Sequence, residues 1–384
     1  MQTLYQQLSI SRKYLIMTSI SPLFKESQID SLTLKNRLVV APMTRVSATS
    51  EGIPTEIMKE HYQEYSEGGW GLIITEGTYI DESFSQGYRN QPGIANKQHI
   101  ENWKKIVDAV HISNTPIFLQ LIHAGGLIQE NIYQKRGIAP SRTELLGKML
   151  PHYFGEGKFP VPMEITKEQI AKTVSSFASA AKNALEAGFD GIEIHGANGY
   201  LLDQFLTVFS NHRNDEYGGD IKNRIRFHCE VLKSVLDAIK GKIPVGMRIS
   251  QTKVNNFEYE WPGGEIDASF IFKKMKSVGP SYVHVSTHKG LEPVWQTRHN
   301  LAYYAKKYFE GTVIACGGLH DPKKATNLLN KQEADLAAVG KGAIANPNLP
   351  NDIHSKKDNT QFVPEMIRPF ATIENTRSWR KKNL

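Results

Sequence analysis

Residues 166–195, TKEQIAKTVSSFASAAKNALEAGFDGIEIH, place a capped amphipathic helix directly before a short β-branched run. Thr166 and Gln169 have the spacing of a capping box, in which each side chain satisfies a backbone N–H of the first turn. Apolar residues return at Ile170, Val174, Phe177, Ala181 and Ala184, one stripe of a 3.6-residue period, and Gly188 stands where a helix ends. The run 190–195 that follows is one of eight of its kind. The others are 37–42, 71–77, 116–122, 244–249, 282–286, 312–317 and 335–340. Most are apolar on both sides of the chain, as parallel strands covered on two faces must be. Stretches 221–239, 268–278 and 321–330 repeat the helical pattern, the last with Pro322 in its first turn. Eight strands alternating with helices predict a single (β/α)8 barrel. An open doubly wound sheet is the alternative, because pattern does not fix strand order.

Working outward, residues 124–164 form a long Gly/Pro-rich excursion after the third strand, and loops of that length are usually functional. The tail beyond Pro350 is polar and basic with little periodicity. The first acidic residue is Glu26, but the opening segment has neither a continuous apolar core nor a small-residue cleavage site. The expected organisation is an N-terminal extension at 1–20, a candidate for disorder, a barrel at 21–350, and a tail at 351–384 packed on it.

The 384 residues carry 46 Lys+Arg against 39 Asp+Glu, a charge of +7 that is spread along the chain. No aromatic-interleaved basic motif accompanies it, so the charge reads as a solvated surface and nucleic acid is not an expected partner. No apolar stretch approaches the ~20 residues that cross a bilayer, so a soluble protein without membrane attachment is expected. Two cysteines, Cys229 and Cys316, are too few for a disulfide framework or a four-thiolate cluster and fit a cytoplasmic setting. No HExxH, phosphate-loop signature or spaced Cys/His set predicts a metal.

Barrel enzymes carry their chemistry at the C-terminal ends of the strands. The ends here present Pro42, Met43 and Thr44; Gly77; Gln120 and His123; His195, Asn198 and Tyr200; Arg248; Gly317 and Gly318; and Gly340 and Lys341. His195 and Asn198 are neutral donors able to grip one carbonyl or nitro oxygen and stabilise charge growing on it. Tyr200 adds a phenol able to give up a proton once that charge exists. Taken alone, His195 would read as a structural histidine; three polar groups within six residues at a strand end favour chemistry. Arg248 ends an apolar strand, where a cation needs either a carboxylate or an electron-rich ligand. The glycines of the last two strand ends, with Lys341, point to a phosphate-bearing ligand.

The segments LKNRLVVAPMTR, IITEGTYI, IFLQLIHAG, IAPSR, HGANGYLLDQFL and SNHRNDEYGG together resemble the old yellow enzyme family of FMN-dependent ene-reductases. The resemblance implies an FMN-binding (β/α)8 barrel, NADPH or NADH as reductant, and reduction of the C=C bond of electron-poor alkenes. Hydride would come from flavin N5 and the proton from Tyr200. It implies that Pro42, Met43, Thr44, Gly77 and Gln120 hold the flavin ring, with Thr44 near O4. Arg248 would lie beside N1 and O2, and Gly317, Gly318, Gly340 and Lys341 would hold the phosphate. His195 and Asn198 would bind the substrate oxygen. Lys341 replaces an arginine usual in the family, which removes a bidentate fork. A monomer or homodimer is expected. The alternatives are nitrate-ester or nitroaromatic reduction at the same site, a flavin-free isomerase or lyase on a phosphorylated metabolite, and a non-catalytic FMN- or anion-binding protein.

Overall fold

A computed structural model describes residues 21–384; the extension expected at 1–20 lies outside the described residues. Eight parallel strands close into a barrel: β1 (Leu38–Val40), β2 (Leu72–Ile74), β3 (Ile117–Ile122), β4 (Gly191–Asn198), β5 (Val245–Lys253), β6 (Tyr282–Ser286), β7 (Thr312–Cys316) and β8 (Leu336–Val339). Each pairs with the next in the chain, and β8 returns to β1 through Ala338 and Val39. Closure removes both sheet edges, and it excludes the open doubly wound alternative. All eight predicted runs hold a strand.

Helices separate the strands: α1 (Glu56–Glu67), α2 (Lys97–His111), α3 (Lys167–Glu186), α4 (Arg226–Ile239), α5 (Glu265–Val278), α6 (Leu301–Phe309) and α7 (Pro322–Asn330). The capping box of α3 forms as the sequence implies, with both Thr166 and Gln169 bonded to backbone N–H groups. Ile170, Phe177, Ala181 and Ala184 are buried under it, while Val174 is only partly covered. The predicted 221–239 helix is divided at Ile225 into a four-residue turn and α4. Below the strands, a hairpin of Ser27–Ile29 and Leu32–Leu34 inserts Ile29 and Leu34 among Leu72, Phe118, Tyr282 and Leu336. That apolar plug closes the N-terminal end of the barrel and leaves the C-terminal end as the place for a site.

The tail holds more order than its sequence suggests. Thr372 caps α8 (Ile373–Asn383), and Arg380 of that helix meets Glu64 of α1 through two hydrogen bonds of 2.7 and 2.9 Å. The excursion at 124–164 carries two short strands, Ile138–Ala139 and Met163–Glu164, that pair in parallel. Phe154 of the excursion stacks on Phe370 of the tail at 4.3 Å, and the Ala371 N–H donates to the His152 carbonyl at 2.8 Å.

Candidate active site

A cavity of about 510 Å3 opens at the C-terminal mouth of the barrel. Pro42, Met43, Thr44, Gly77, Gln120, His195, Asn198, Tyr200, Arg248, Gly317, Gly318, Gly340 and Lys341 all line it. His123, also at the end of β3, is buried and instead accepts the Gly125 N–H at its Nδ1, 3.1 Å away.

The end of β4 is shaped by backbone. Asn198 sits at φ 61°, in the left-handed region that asparagine tolerates, and Gly199 follows at φ 88°. Strand β5 bulges between Ile249 and Lys253 and rejoins β4 with Lys253 opposite Asn198. The Asn198 N–H donates to Ser250 Oγ at 2.8 Å, and the Gly199 N–H donates to Asp203 Oδ2 at 2.6 Å. Asp203 Oδ1 in turn accepts Lys253 Nζ at 2.7 Å in a buried ion pair. The turn that presents Asn198 and Tyr200 is therefore tied down from behind. His195 lies 4.9 Å from the Tyr200 ring, centroid to centroid. Burial, and then the Arg248 cation, hold His195 well below the usual imidazole range, so at neutral pH it is an uncharged donor. Burial raises Tyr200, which keeps its proton in place at the same pH.

Two residues below His195, Glu193 organises the barrel interior. Its Oε1 accepts Gln120 Nε2 and its Oε2 accepts His284 Nδ1, both at 2.8 Å. With its N–H end committed to Glu193, Gln120 has its carbonyl Oε1 left as an acceptor beside Gly77. Burial would push Glu193 up and His284 down; their contact reverses both shifts and holds them as a charged pair. Arg248 stands opposite His195 on one side and His284 on the other. Its Nη2 donates to Ser286 Oγ at 2.9 Å and lies 3.9 Å from Cys316 Sγ, and its Nε is buried without a partner. Among the described residues Arg248 forms no ion pair, so the carboxylate partner left open by the sequence is not present.

The loops after β7 and β8 are built for close approach. Gly317 has φ 133°, and a Cβ there would fall 2.4 Å from the Thr287 carbonyl oxygen. Gly318 has φ 70° with open space where a Cβ would point. Lys341 places Nζ 5.6 Å from the Phe362 ring centroid, and among the described residues it forms no ion pair. These features fit FMN: an unpaired buried cation and an outward acceptor for the ring, and a glycine cradle with a free ammonium for the phosphate.

Residues 22–360 match the NADH:flavin oxidoreductase / NADH oxidase family. The chain is 36% identical over 338 residues to a probable flavin mononucleotide-dependent alkene reductase of Leishmania infantum, covering 86% of this chain and 90% of that one. It belongs to the old yellow enzyme family. 12-Oxophytodienoate reductase 7 of Oryza sativa subsp. japonica is 34% identical over 347 residues, covering 86% of each chain. The old yellow enzyme from Trypanosoma cruzi superposes with a TM-score of 0.83 at 30% identity, covering 94% of this chain and 99% of that one. This old yellow enzyme homologue is accordingly an FMN-dependent oxidoreductase with a nicotinamide reductant, and the flavin-free isomerase or lyase reading falls. No helix among the described residues is long and apolar enough to cross a membrane.

The cavity also contains residues that the sequence did not single out. Tyr88, from the loop after β2, bonds to the Tyr200 hydroxyl at 2.5 Å. Tyr153 of the excursion, Phe257, and Phe362 and Ile367 of the tail supply apolar walls. Ser286 and Cys316 hold Arg248. Burial alone would push the Cys316 thiol up, yet His284 and Arg248 hold it below its ordinary value. Tyr153 lies in the 124–164 excursion and Ser286 and Cys316 fall within predicted strand runs, but no local motif marks any of these residues for the site.

Proposed function

We propose that this enzyme reduces the C=C bond of electron-poor alkenes, α,β-unsaturated carbonyl or nitro compounds, at the mouth of the barrel. The observation that carries the reading is the convergence of His195, Asn198 and Tyr200 with the unpaired Arg248 on one cavity. When bound, FMN supplies the redox step, taking hydride from NAD(P)H and passing it to the alkene β carbon. Arg248 would face the electron-rich edge of the ring; Gln120 would offer it an acceptor; Pro42, Met43, Thr44 and Gly77 would line it. Gly317, Gly318, Gly340 and Lys341 would hold the phosphate. Neutral His195 and Asn198 donate to the activating oxygen of the substrate, fixing the alkene and stabilising the charge that develops there. Tyr200 then protonates the α carbon. The names of the relatives, an alkene reductase and a 12-oxophytodienoate reductase, support an enone-like substrate. The reading places the reaction in the cytoplasm, carried out by a monomer or homodimer, in keeping with two free cysteines.

Rapid mixing separates the two halves of the reaction. Tyr200→Phe should slow alkene-dependent flavin reoxidation by ~10²–10⁴-fold while NADPH still bleaches the flavin. The pair His195→Ala and Asn198→Ala should abolish the spectral shift that a phenolic ligand produces in the bound flavin. Wild-type behaviour from both variants would remove the site from these residues.

A further inference from the structure

Tyr88 and Tyr200 are 112 residues apart in the chain, and their hydroxyls meet at 2.5 Å inside the cavity wall. Both are buried, at 4% and 6% exposure. Each hydroxyl has one proton, so only one of the two can donate in this contact. The proton that Tyr200 must give away decides which. Gln129 also lines the cavity, and one end of its carboxamide is met by the Leu150 N–H at 2.7 Å. A backbone N–H only donates, so that end is the oxygen and the other is the NH2 group. The Gln129 side chain lies near the Tyr88 hydroxyl and lowers its phenol against the larger upward push of burial. When the Tyr200 proton goes to a substrate, only the Tyr88 proton is left to bridge the 2.5 Å contact, and Tyr88 donates it to the Tyr200 oxygen. Tyr153 holds the Tyr88 ring edge-on at 5.1 Å, so the donor is fixed in place.

We infer that Tyr88 is a positioning residue for proton delivery: its hydroxyl donates to Tyr200, turning the Tyr200 proton toward the substrate and stabilising the oxygen from which it leaves. The inference rests on alkene reduction being the reaction. As hydride joins the β carbon, the π pair of the alkene moves onto the α carbon and its activating group. The Tyr200 O–H bond then breaks, its proton bonds to the α carbon, and the electron pair stays on the Tyr200 oxygen. Without the donated hydrogen bond that charge would form in a buried site offset only by the Arg248 cation.

The test is a double-mutant cycle on the FMN-loaded full chain. Each variant is reduced anaerobically with one equivalent of NADPH, then mixed with 2-cyclohexenone while flavin reoxidation is followed. Tyr88→Phe keeps the ring and removes only the hydroxyl. In the wild-type background it should slow reoxidation by ~10–100-fold, and the alkaline limb of the pH profile should move up. In the Tyr200→Phe background the same substitution should change the rate by less than about twofold, because the group it serves is gone. Equal slowing in both backgrounds would assign Tyr88 a packing role and overturn the inference, as would no slowing in either. Failure of the reduced wild-type enzyme to be reoxidised by any electron-poor alkene would instead overturn the reaction itself, and is read from the first trace.

Discussion

Arg248 shows how a single residue connects register to chemistry. Its strand neighbours place it between His195 and His284, and its Nε has no partner among the described residues. Placed beside the flavin edge, as proposed, this fixed charge would favour the reduced, more negative state. At an effective dielectric near 20, one charge at ~4 Å contributes about 4 kcal/mol. Arg248→Met should therefore lower the midpoint potential of the bound FMN by roughly 90 mV, since 30 mV is about 1.4 kcal/mol for two electrons. Equilibration with a reference dye measures it. An unchanged potential would separate Arg248 from the flavin. The sequence exposed Arg248 because a cation at the end of an apolar strand is anomalous locally. It did not expose Tyr88, whose loop GYRNQPG has no periodicity and whose partner lies on another strand end.

Among the elements, the tail gains most from tertiary context. Helix α8 is polar, with Arg377, Arg380, Lys381 and Lys382 along its length, and no apolar stripe marks it in the sequence. Contacts with the barrel hold it instead. The buried Arg45 guanidinium, at the end of the PMTR segment after β1, donates to the Thr372 carbonyl at 2.7 Å and to Thr376 Oγ at 2.5 Å. Thr376 Oγ also donates to the Met366 carbonyl at 2.6 Å, next to cavity-lining Ile367. Thr376→Val keeps the shape and removes both bonds, leaving a buried cation short of a further acceptor. It should cost about 1–3 kcal/mol, read as a lowered Tm, and raise KM for the alkene as the Ile367 wall loosens. An unchanged Tm would show that the α1 ion pairs hold the tail without Arg45. Helices α1, α2 and α6 were likewise not read from the sequence. In α1 the buried face includes His61, Tyr62, Tyr65 and Ser66, which blurs an apolar stripe.

Across the whole molecule, buried histidines set the response to acid, and four of them are shifted furthest. His61, His123, His195 and His228 are all held below their ordinary value by burial, His123 and His228 at about 4. Each is neutral in the folded protein and takes up a proton more readily once unfolded. Their contribution is complete above pH ~6.5 and is lost as pH falls toward 4, about 3 kcal/mol each for His123 and His228. Glu76 works in the opposite direction. Burial raises it to about 7, so its contribution is present at low pH and lost as pH rises through that value. Burial raises Asp203 and Glu230 in the same direction by less, and these carboxyls do not offset four histidines. The Tm of the FMN-loaded enzyme should therefore fall steeply between pH 7 and 4.5 at constant excess FMN. A flat profile would mean that these histidines do not remain neutral in the folded protein.

By itself, the sequence determined the alternation of strands and helices, the barrel it implies, and the rim on which polar groups gather. Those features are local: a strand's burial on both faces, a capping box and a glycine at a strand end are each written within a few residues. Its motifs also determined the family, through side chains that sit close together in the chain. Tertiary structure alone decided which groups share a hydrogen bond across the barrel. The Glu193–His284 pair, the unpartnered Nε of Arg248, the Tyr88–Tyr200 contact and the tail wall all join residues brought together by closure of the sheet. Proton position and charge depend on burial and on partners tens to hundreds of residues away, and neither is a property of local sequence.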